Sequence, residues 1–250
     1  MKTVKNPAYE KLRSFVESLP REECPELHVY CNHRNKVFLT EAEGERLVVK
    51  RYKRPTWINM VVYTYFRLSK PRRAYEYAFK LKEAGIETPE PVAYIESRRH
   101  GLFHTGWFVS RYLDYRMLTE IDSLEPRRRD EVADAFARFS CRLHESGFLP
   151  HDYATANVMY DFSGPECRFA LVDINSMSFG KFPRKRCARS IKILDMQPDT
   201  RRAVISRYAA LRGWDGEECY EALVRHRAYI DRCQKAKRRL KRALGIGRRR

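Results

Sequence analysis

Three oxygen-bearing side chains near the middle of the sequence are spaced as phosphoryl transfer would need them. Within Leu149-Pro-His-Asp-Tyr-Ala-Thr-Ala-Asn-Val-Met-Tyr160, Asp152 is followed five positions later by Asn157. Asp173 comes sixteen positions after the Asn. Phosphoryl transfer asks for a carboxylate near the acceptor hydroxyl, hard oxygen ligands for Mg²⁺, and a cation on the nucleotide phosphates. Asp152 fits the base, and Asn157 with Asp173 fits the metal. An Asp and an Asn five apart are commonplace by themselves, a capping Asp and a turn Asn in a solvated loop. The surrounding order gives them meaning: an amphipathic helix, a Gly, the loop, a strand-turn-strand interval, then an Asp closing the apolar run Ala170-Leu-Val172.

The required cation has two candidates upstream. Arg46-Leu-Val-Val-Lys50 reads as a strand ending in a lysine suited to nucleotide phosphates, and Lys53 is its rival. Glu76, on a helix expected from about Arg72 to Ala84, is suitably placed to anchor Lys50. The plain alternatives are a solvated strand-end lysine and a Glu paired with a Lys or Arg on its own helix.

The elements that must position these groups can be read from periodicity. Tyr9, Leu12, Phe15 and Leu19 predict an amphipathic helix over residues 1–20, and Val29 to Val49 reads as two or three short strands. A basic, aromatic segment runs from Arg51 to Lys70, separated by Pro71 from the helix that Gly85 stops. Thr88-Pro89-Glu90-Pro91 is a stiff connector, followed by strand-like runs at Val92–Glu96 and Gly106–Leu113. Val132, Phe136, Phe139 and Leu143 mark one face of a helix from Arg128 to Glu145, ended by Gly147. Further helices are expected at about Pro198–Leu211 and Gly216–Leu244. Strands segregated from helices argue for an α+β fold. Two lobes would then comprise residues 28–113 and 114–234, after an N-terminal helical extension (1–27) and before a basic tail (235–250).

Composition limits the classes of function. With 43% hydrophobic residues the chain can bury a core, which excludes a disordered chain. A net charge of +18 directs attention to anionic partners: nucleic acid, an anionic membrane surface, or a phosphorylated sugar or lipid. The tail from Lys235 carries nine Lys or Arg and no acid, a solvated helix end or a patch adhering to anionic lipid. Arg51 to Arg73 interleaves cations with Tyr52, Trp57, Tyr63, Tyr65 and Phe66, a mixture suited to a lipid head group, a glycan or nucleic-acid bases. Seven scattered cysteines without a C-x-x-C pair fit a reducing cytosol, and the N-terminus lacks the apolar core of a signal peptide.

Several segments together resemble the lipopolysaccharide core kinases, enzymes of protein-kinase-like fold that phosphorylate Kdo or heptose. They are Leu-Val-Val-Lys-Arg-Tyr-Lys-Arg-Pro (47–55), Ser-Lys-Pro-Arg-Arg-Ala-Tyr-Glu-Tyr-Ala (69–78) and Ala-Gly-Ile-Glu-Thr-Pro-Glu-Pro-Val-Ala (84–93), with the 149–160 loop and Phe-Ala-Leu-Val-Asp-Ile-Asn-Ser-Met-Ser-Phe-Gly (169–180). The resemblance spans about residues 28–214. It implies a bilobal fold with a small strand-rich N-lobe and a helical C-lobe, and ATP and Mg²⁺ as cofactors. It also implies Lys50 on the phosphates, Glu76 as its partner, Asp152 as base, and Asn157 and Asp173 on the metal. The acceptor would be a lipid-anchored core sugar at the cytoplasmic face of the inner membrane. Three departures stand out. Pro150 occupies the place of the family's usual His, with His151 shifted next to Asp152; Asp-Ile-Asn replaces Asp-Phe-Gly; and Cys31–Lys36, where a phosphate loop would lie, has no glycine. The rivals are a catalytically degenerate kinase fold used for binding, a kinase for a protein or other small molecule, and a basic nucleic-acid-binding protein.

Overall fold

The computed structural model describes residues 1–243 apart from Glu23, Arg34 and 192–194. They form two compact units: Met1–Leu118 with Ala156–Ser178, and Thr119–Thr155 with the chain from Phe179 onward.

In the first unit, period-two alternation decides the architecture. The strands β1 (Lys2–Lys5), β2 (His28–Asn32), β3 (Asn35–Ala42), β4 (Glu45–Tyr52), β5 (Pro91–Arg99) and β6 (Leu102–Arg111) make one antiparallel sheet in the order β1-β5-β6-β4-β3-β2. Along β4, Leu47 and Val49 are fully buried, while Val48 and Lys50 between and beyond them project from the opposite face. The buried face packs with Trp107 and Val109 of β6 and with Leu12 and Val16 from the N-terminal segment. Each such side chain contributes about 1.5–3 kcal/mol by leaving water.

That N-terminal segment is less helical than its apolar spacing predicts. Lys2-Thr-Val-Lys5 pairs with β5, Asn6 caps a 3-10 turn over Pro7–Leu12, and only α1 (Arg13–Ser18) is α-helical. Thr3 and Val4 are β-branched and the edge of β5 offers hydrogen bonds, so sheet pairing wins over helix there.

Two helices flank the sheet. The segment expected only to be basic and aromatic contains α2 (Trp57–Tyr65), and Ser69 then caps α3 (Lys70–Glu83) by accepting from Arg72 N at 3.3 Å. Pro71 lies inside the first turn of α3 rather than before it, a place where its missing N–H costs nothing. Five short strands follow: β7 (Arg116–Met117), β8 (Phe148–Pro150), β9 (Val158–Asp161), β10 (Arg168–Leu171) and β11 (Met177–Phe179). Of these, β10-β9-β7 is a small antiparallel sheet of the first unit.

The second unit is helical: α4 (Pro126–Glu145), α5 (Arg184–Ile191), α6 (Pro198–Leu211) and α7 (Gly216–Ala243). The expected stripe on α4 is its buried face, and α4 packs on α6, which contributes Val204, Ile205 and Tyr208. Gly147 is required beyond the end of α4. Its φ is +80°, and a Cβ there would lie 3.2 Å from the Gly180 carbonyl oxygen. The basic tail continues α7 as far as Ala243, and 244–250 lie outside the described residues. Among the described residues, no helix is long and apolar enough to cross a membrane.

Candidate active site

The site begins with the lysine of β4. Because Leu47 and Val49 face the core, Lys50 must face the other way, and its side chain is only 13% exposed. Its Nζ lies 2.6 Å from Asp173 Oδ1. It also stands 5.4 Å from the ring centroid of Tyr52, on the same face of the strand. Tyr52 is buried, and burial, followed by the nearby Asp173 charge, holds its phenol neutral, far above the usual range. Lys53 lies beyond the end of β4 and lines a different, cationic cavity. Of the two candidate lysines, Lys50 is thus the one seen beside Asp173.

Asp173 stands just after β10, at φ +53°, a left-handed conformation that Asp and Asn tolerate better than most residues. Asn175 donates a hydrogen bond to its Oδ1. The preceding residue ties the two metal candidates together, since Val172 N donates to the Asn157 carbonyl at 3.0 Å. Asn157 closes a 3-10 turn (Thr155–Asn157) that leads into β9, while β10 runs antiparallel to β9 and delivers Asp173 alongside. The donor set is a carboxylate and an amide oxygen. Such hard oxygen ligands suit Mg²⁺, which keeps several waters and takes its remaining ligands from nucleotide phosphates.

A clamp that sequence reasoning recognised only as a stiff connector holds this strand. Leu171 N donates to the Glu87 carbonyl at 3.0 Å, and the Thr88 hydroxyl donates to the Leu171 carbonyl at 2.7 Å. Tyr115 OH adds a 2.7 Å bond to the Glu87 carboxylate. The Thr-Pro segment therefore fixes the strand two residues before Asp173. Thr88→Val, equal in shape, leaves a buried carbonyl without its donor. It is expected to cost about 1–3 kcal/mol, with Thr88→Ser close to wild type. Denaturant unfolding of both variants tests this.

Glu76 does not pair with Lys50. Its carboxylate accepts from Arg72 Nε at 2.7 Å, one turn earlier on α3. Local geometry explains the difference: an i,i+4 partner is within reach wherever the helix packs, and Lys50 already has Asp173.

Asp152 belongs to the second unit, shortly before the chain enters the first at Ala156. It is exposed, and its neighbours are not: Tyr153 is fully buried and Thr155 nearly so. The Tyr153 hydroxyl shares a 2.8 Å hydrogen bond with Ser140 on α4, and its ring lies 5.7 Å from that of Phe136. The loop is thus anchored by the residue after Asp152, although Pro150 stands where a bracing His was expected. Sequence gave no sign of this beyond one aromatic in a polar loop.

Beside Tyr153 lies His144, sequestered in a fully bonded network. Ser190 Oγ donates to the Cys187 carbonyl at 2.7 Å, so it accepts from His144 Nε2 at 2.9 Å. Nδ1 then accepts from Tyr208 OH at 2.8 Å. A second proton would displace that bond. Burial, then the charge of Arg212, push the His144 pKa down to about 3. Unfolded His takes up its proton near pH 6.5. This network's stability is therefore intact above that pH and is lost as pH falls toward 3. Replacing His144 with Gln should flatten that part of the pH–stability curve, as thermal melts across the range would reveal.

No family model and no curated protein matches the sequence. Solved structures do match its fold. A WaaP structure in complex with acyl carrier protein superposes with a TM-score of 0.63 at 17% identity, covering 94% of this chain and 99% of that one. The APH(2")-IIa complex with gentamicin gives 0.55 at 13% identity, covering 96% and 94%. The APH(2")-IIa ternary complex with streptomycin and ATP gives 0.50 at 11%, covering 88% and 87%. This chain has a six-stranded antiparallel sheet and a helical C-terminal part and superposes on these structures over nearly its whole length, so its fold is protein-kinase-like.

Proposed function

We propose that the protein is an ATP-dependent kinase that phosphorylates a hydroxyl of a lipopolysaccharide core sugar, Kdo or heptose, at the cytoplasmic face of the inner membrane. The observation that carries the phosphotransferase reading is the meeting of Lys50 with Asp173, next in the chain to Val172, which is hydrogen-bonded to Asn157. In this reading Lys50 turns from Asp173 to the phosphates of ATP when nucleotide binds. Asp173 and Asn157 would hold Mg²⁺, which when bound would supply charge neutralisation at the phosphates. Asp152 takes the proton of the acceptor hydroxyl as its oxygen bonds to the γ-phosphorus, and the bond from that phosphorus to the bridging oxygen breaks to release ADP. The core-sugar acceptor is supported by the sequence resemblance and by the likeness to WaaP. Mass spectrometry of core lipopolysaccharide from cells with and without this chain tests it. One phosphate should disappear with the chain, and unchanged core phosphorylation overturns the acceptor.

A second reading, a kinase for another small hydroxylated molecule, is favoured by the gentamicin and streptomycin complexes of APH(2")-IIa. ATP turnover with such acceptors, without change in the lipopolysaccharide, would select it.

A further inference from the structure

The helix α2 is built unlike the other helices. Its nine residues, Trp57-Ile-Asn-Met-Val-Val-Tyr-Thr-Tyr65, include no charged side chain. Only Met60 on it is buried. Inward, the helix is fixed to β6: the Thr64 hydroxyl accepts from Phe103 N at 2.9 Å, and Tyr63 meets the Phe103 ring edge-on at 5.7 Å. Outward, Trp57 is 74% exposed, Ile58 56% and Tyr65 69%, with Phe66 just beyond the helix at 81%. Phe66, Trp57 and Tyr65 are the most exposed large apolar side chains among the described residues. Single exposed apolar residues are ordinary on a protein surface, but a group this concentrated marks an interaction site. Ile58 and Tyr65, seven residues apart, lie on one helical stripe, with Trp57 and Phe66 at its two ends.

Cations accompany this apolar helix. Lys53 and Arg54 precede it, Arg67 follows it, and the first two also wall a cavity of about 300 Å³. His33, Lys36, Arg51 and His104 line the same cavity, and no Asp or Glu among the described residues does. Some of that charge is already engaged, since Lys36 pairs with Glu26 and Arg51 lies over the Trp107 ring. Lys53 and Arg54 remain the cations closest in sequence to α2. Burial, with the charges of Arg54 and Arg99, pushes the pKa of His104 down, a sign of positive potential at this wall.

We propose that α2, with the cationic cavity at its N-terminal end, docks the protein on an anionic lipid bilayer. Trp57, Ile58, Tyr65 and Phe66 enter the interfacial region, and Lys53 and Arg54 face lipid phosphates. Trp and Tyr favour that boundary because each joins an apolar ring to a polar tip. Cations beside the apolar face add attraction to anionic lipid. The polar groups of the helix favour a bilayer over a protein partner. Asn59 is bonded to Thr56 and the Thr64 hydroxyl donates to the Met60 carbonyl, so the face offers few directional bonds of the kind protein interfaces use. The surface would bring the chain to a lipid-anchored acceptor, but its chemistry does not depend on the kinase reading.

The test is flotation of the purified full chain with phosphatidylcholine vesicles, with and without phosphatidylglycerol, in low salt. Binding should require the anionic lipid and shift Trp57 emission to the blue. Trp57→Ala with Phe66→Ala, and separately Lys53→Glu with Arg54→Glu, should each weaken binding about tenfold or more while melting temperature is unchanged. Absence of binding to anionic vesicles, or variants that bind like wild type, overturns the proposal. So does binding of purified acyl carrier protein, but not vesicles, through the same residues, which would make the face a protein interface. Phosphoryl transfer is not read in this experiment, so its outcome and that of the kinase assignment stay distinct.

Discussion

Replacing Asp152 or Asp173 with Asn is expected to lower phosphoryl transfer about a thousandfold or more. The substitutions are nearly equal in shape, so a folding defect should not imitate the loss. Asp152 is exposed, and its loop is held by Tyr153 rather than by the carboxylate's burial. Asn occupies left-handed backbone as readily as Asp, so Asp173→Asn keeps the turn at φ +53°. What it removes is the charged partner of Lys50, whose side chain is only 13% exposed, so a stability loss of about 1–3 kcal/mol is expected beside the far larger loss of transfer. The two variants should also differ from each other. Asp173→Asn should weaken Mg²⁺-dependent nucleotide binding, measured by calorimetry, while Asp152→Asn should bind ATP and Mg²⁺ normally and fail to turn over. Normal turnover in either variant removes that residue from the chemistry.

Tyr153→Ala should be the most destabilising single change near the loop. The side chain is fully buried, against Phe136 and bonded to Ser140, and truncating such an aromatic costs about 3–5 kcal/mol through lost burial and the cavity left behind. That is a large share of the ~5–15 kcal/mol available to an ordinary domain. Tyr153→Phe keeps the ring and loses only the hydroxyl bond, about 1 kcal/mol. Urea unfolding separates the two. If the Ala variant unfolds with the wild-type midpoint, Tyr153 does not brace the loop. In the Phe variant, transfer should fall less than in the Ala variant when both are assayed well below their melting temperatures.

The parts legible in the sequence were those fixed by local periodicity. The stripe Val132, Phe136, Phe139, Leu143 predicted α4, and Pro198–Leu211 emerged as α6 with those bounds, because each helix buries one regular face. The alternation Leu47-Val-Val49 is likewise kept in β4, where it turns Lys50 away from the core. Other features depended on partners distant in sequence. Lys2–Lys5 became a strand because β5 offers a free edge, and α2 is hard to tell from a strand or loop because its nine residues carry no charged face to set against an apolar one. α5, Arg-Lys-Arg-Cys-Ala-Arg-Ser-Ile, is too short and basic to carry a readable stripe. Glu76 followed its own helix to Arg72. The Thr88 hydroxyl on Leu171 spans 83 positions, and no local rule could have anticipated it.

The four residues of β1 also bear on which edges of the sheet stay open to another chain. A sheet has two open edges, each a row of backbone donors and acceptors ready to recruit another chain. On one side β1 covers β5 along Lys2 to Lys5, and its two lysines place charge beside the new border. On the other side β2 is the outermost strand, and its register slips between Val29 and Cys31. A bulge twists a strand away from straight pairing, which blunts that border without covering it. Loss of the first five residues would bare β5, whose Val92, Ala93, Tyr94 and Ile95 form an uncharged, buried, β-prone run. The short N-terminal strand thus guards the aggregation-prone side of the sheet.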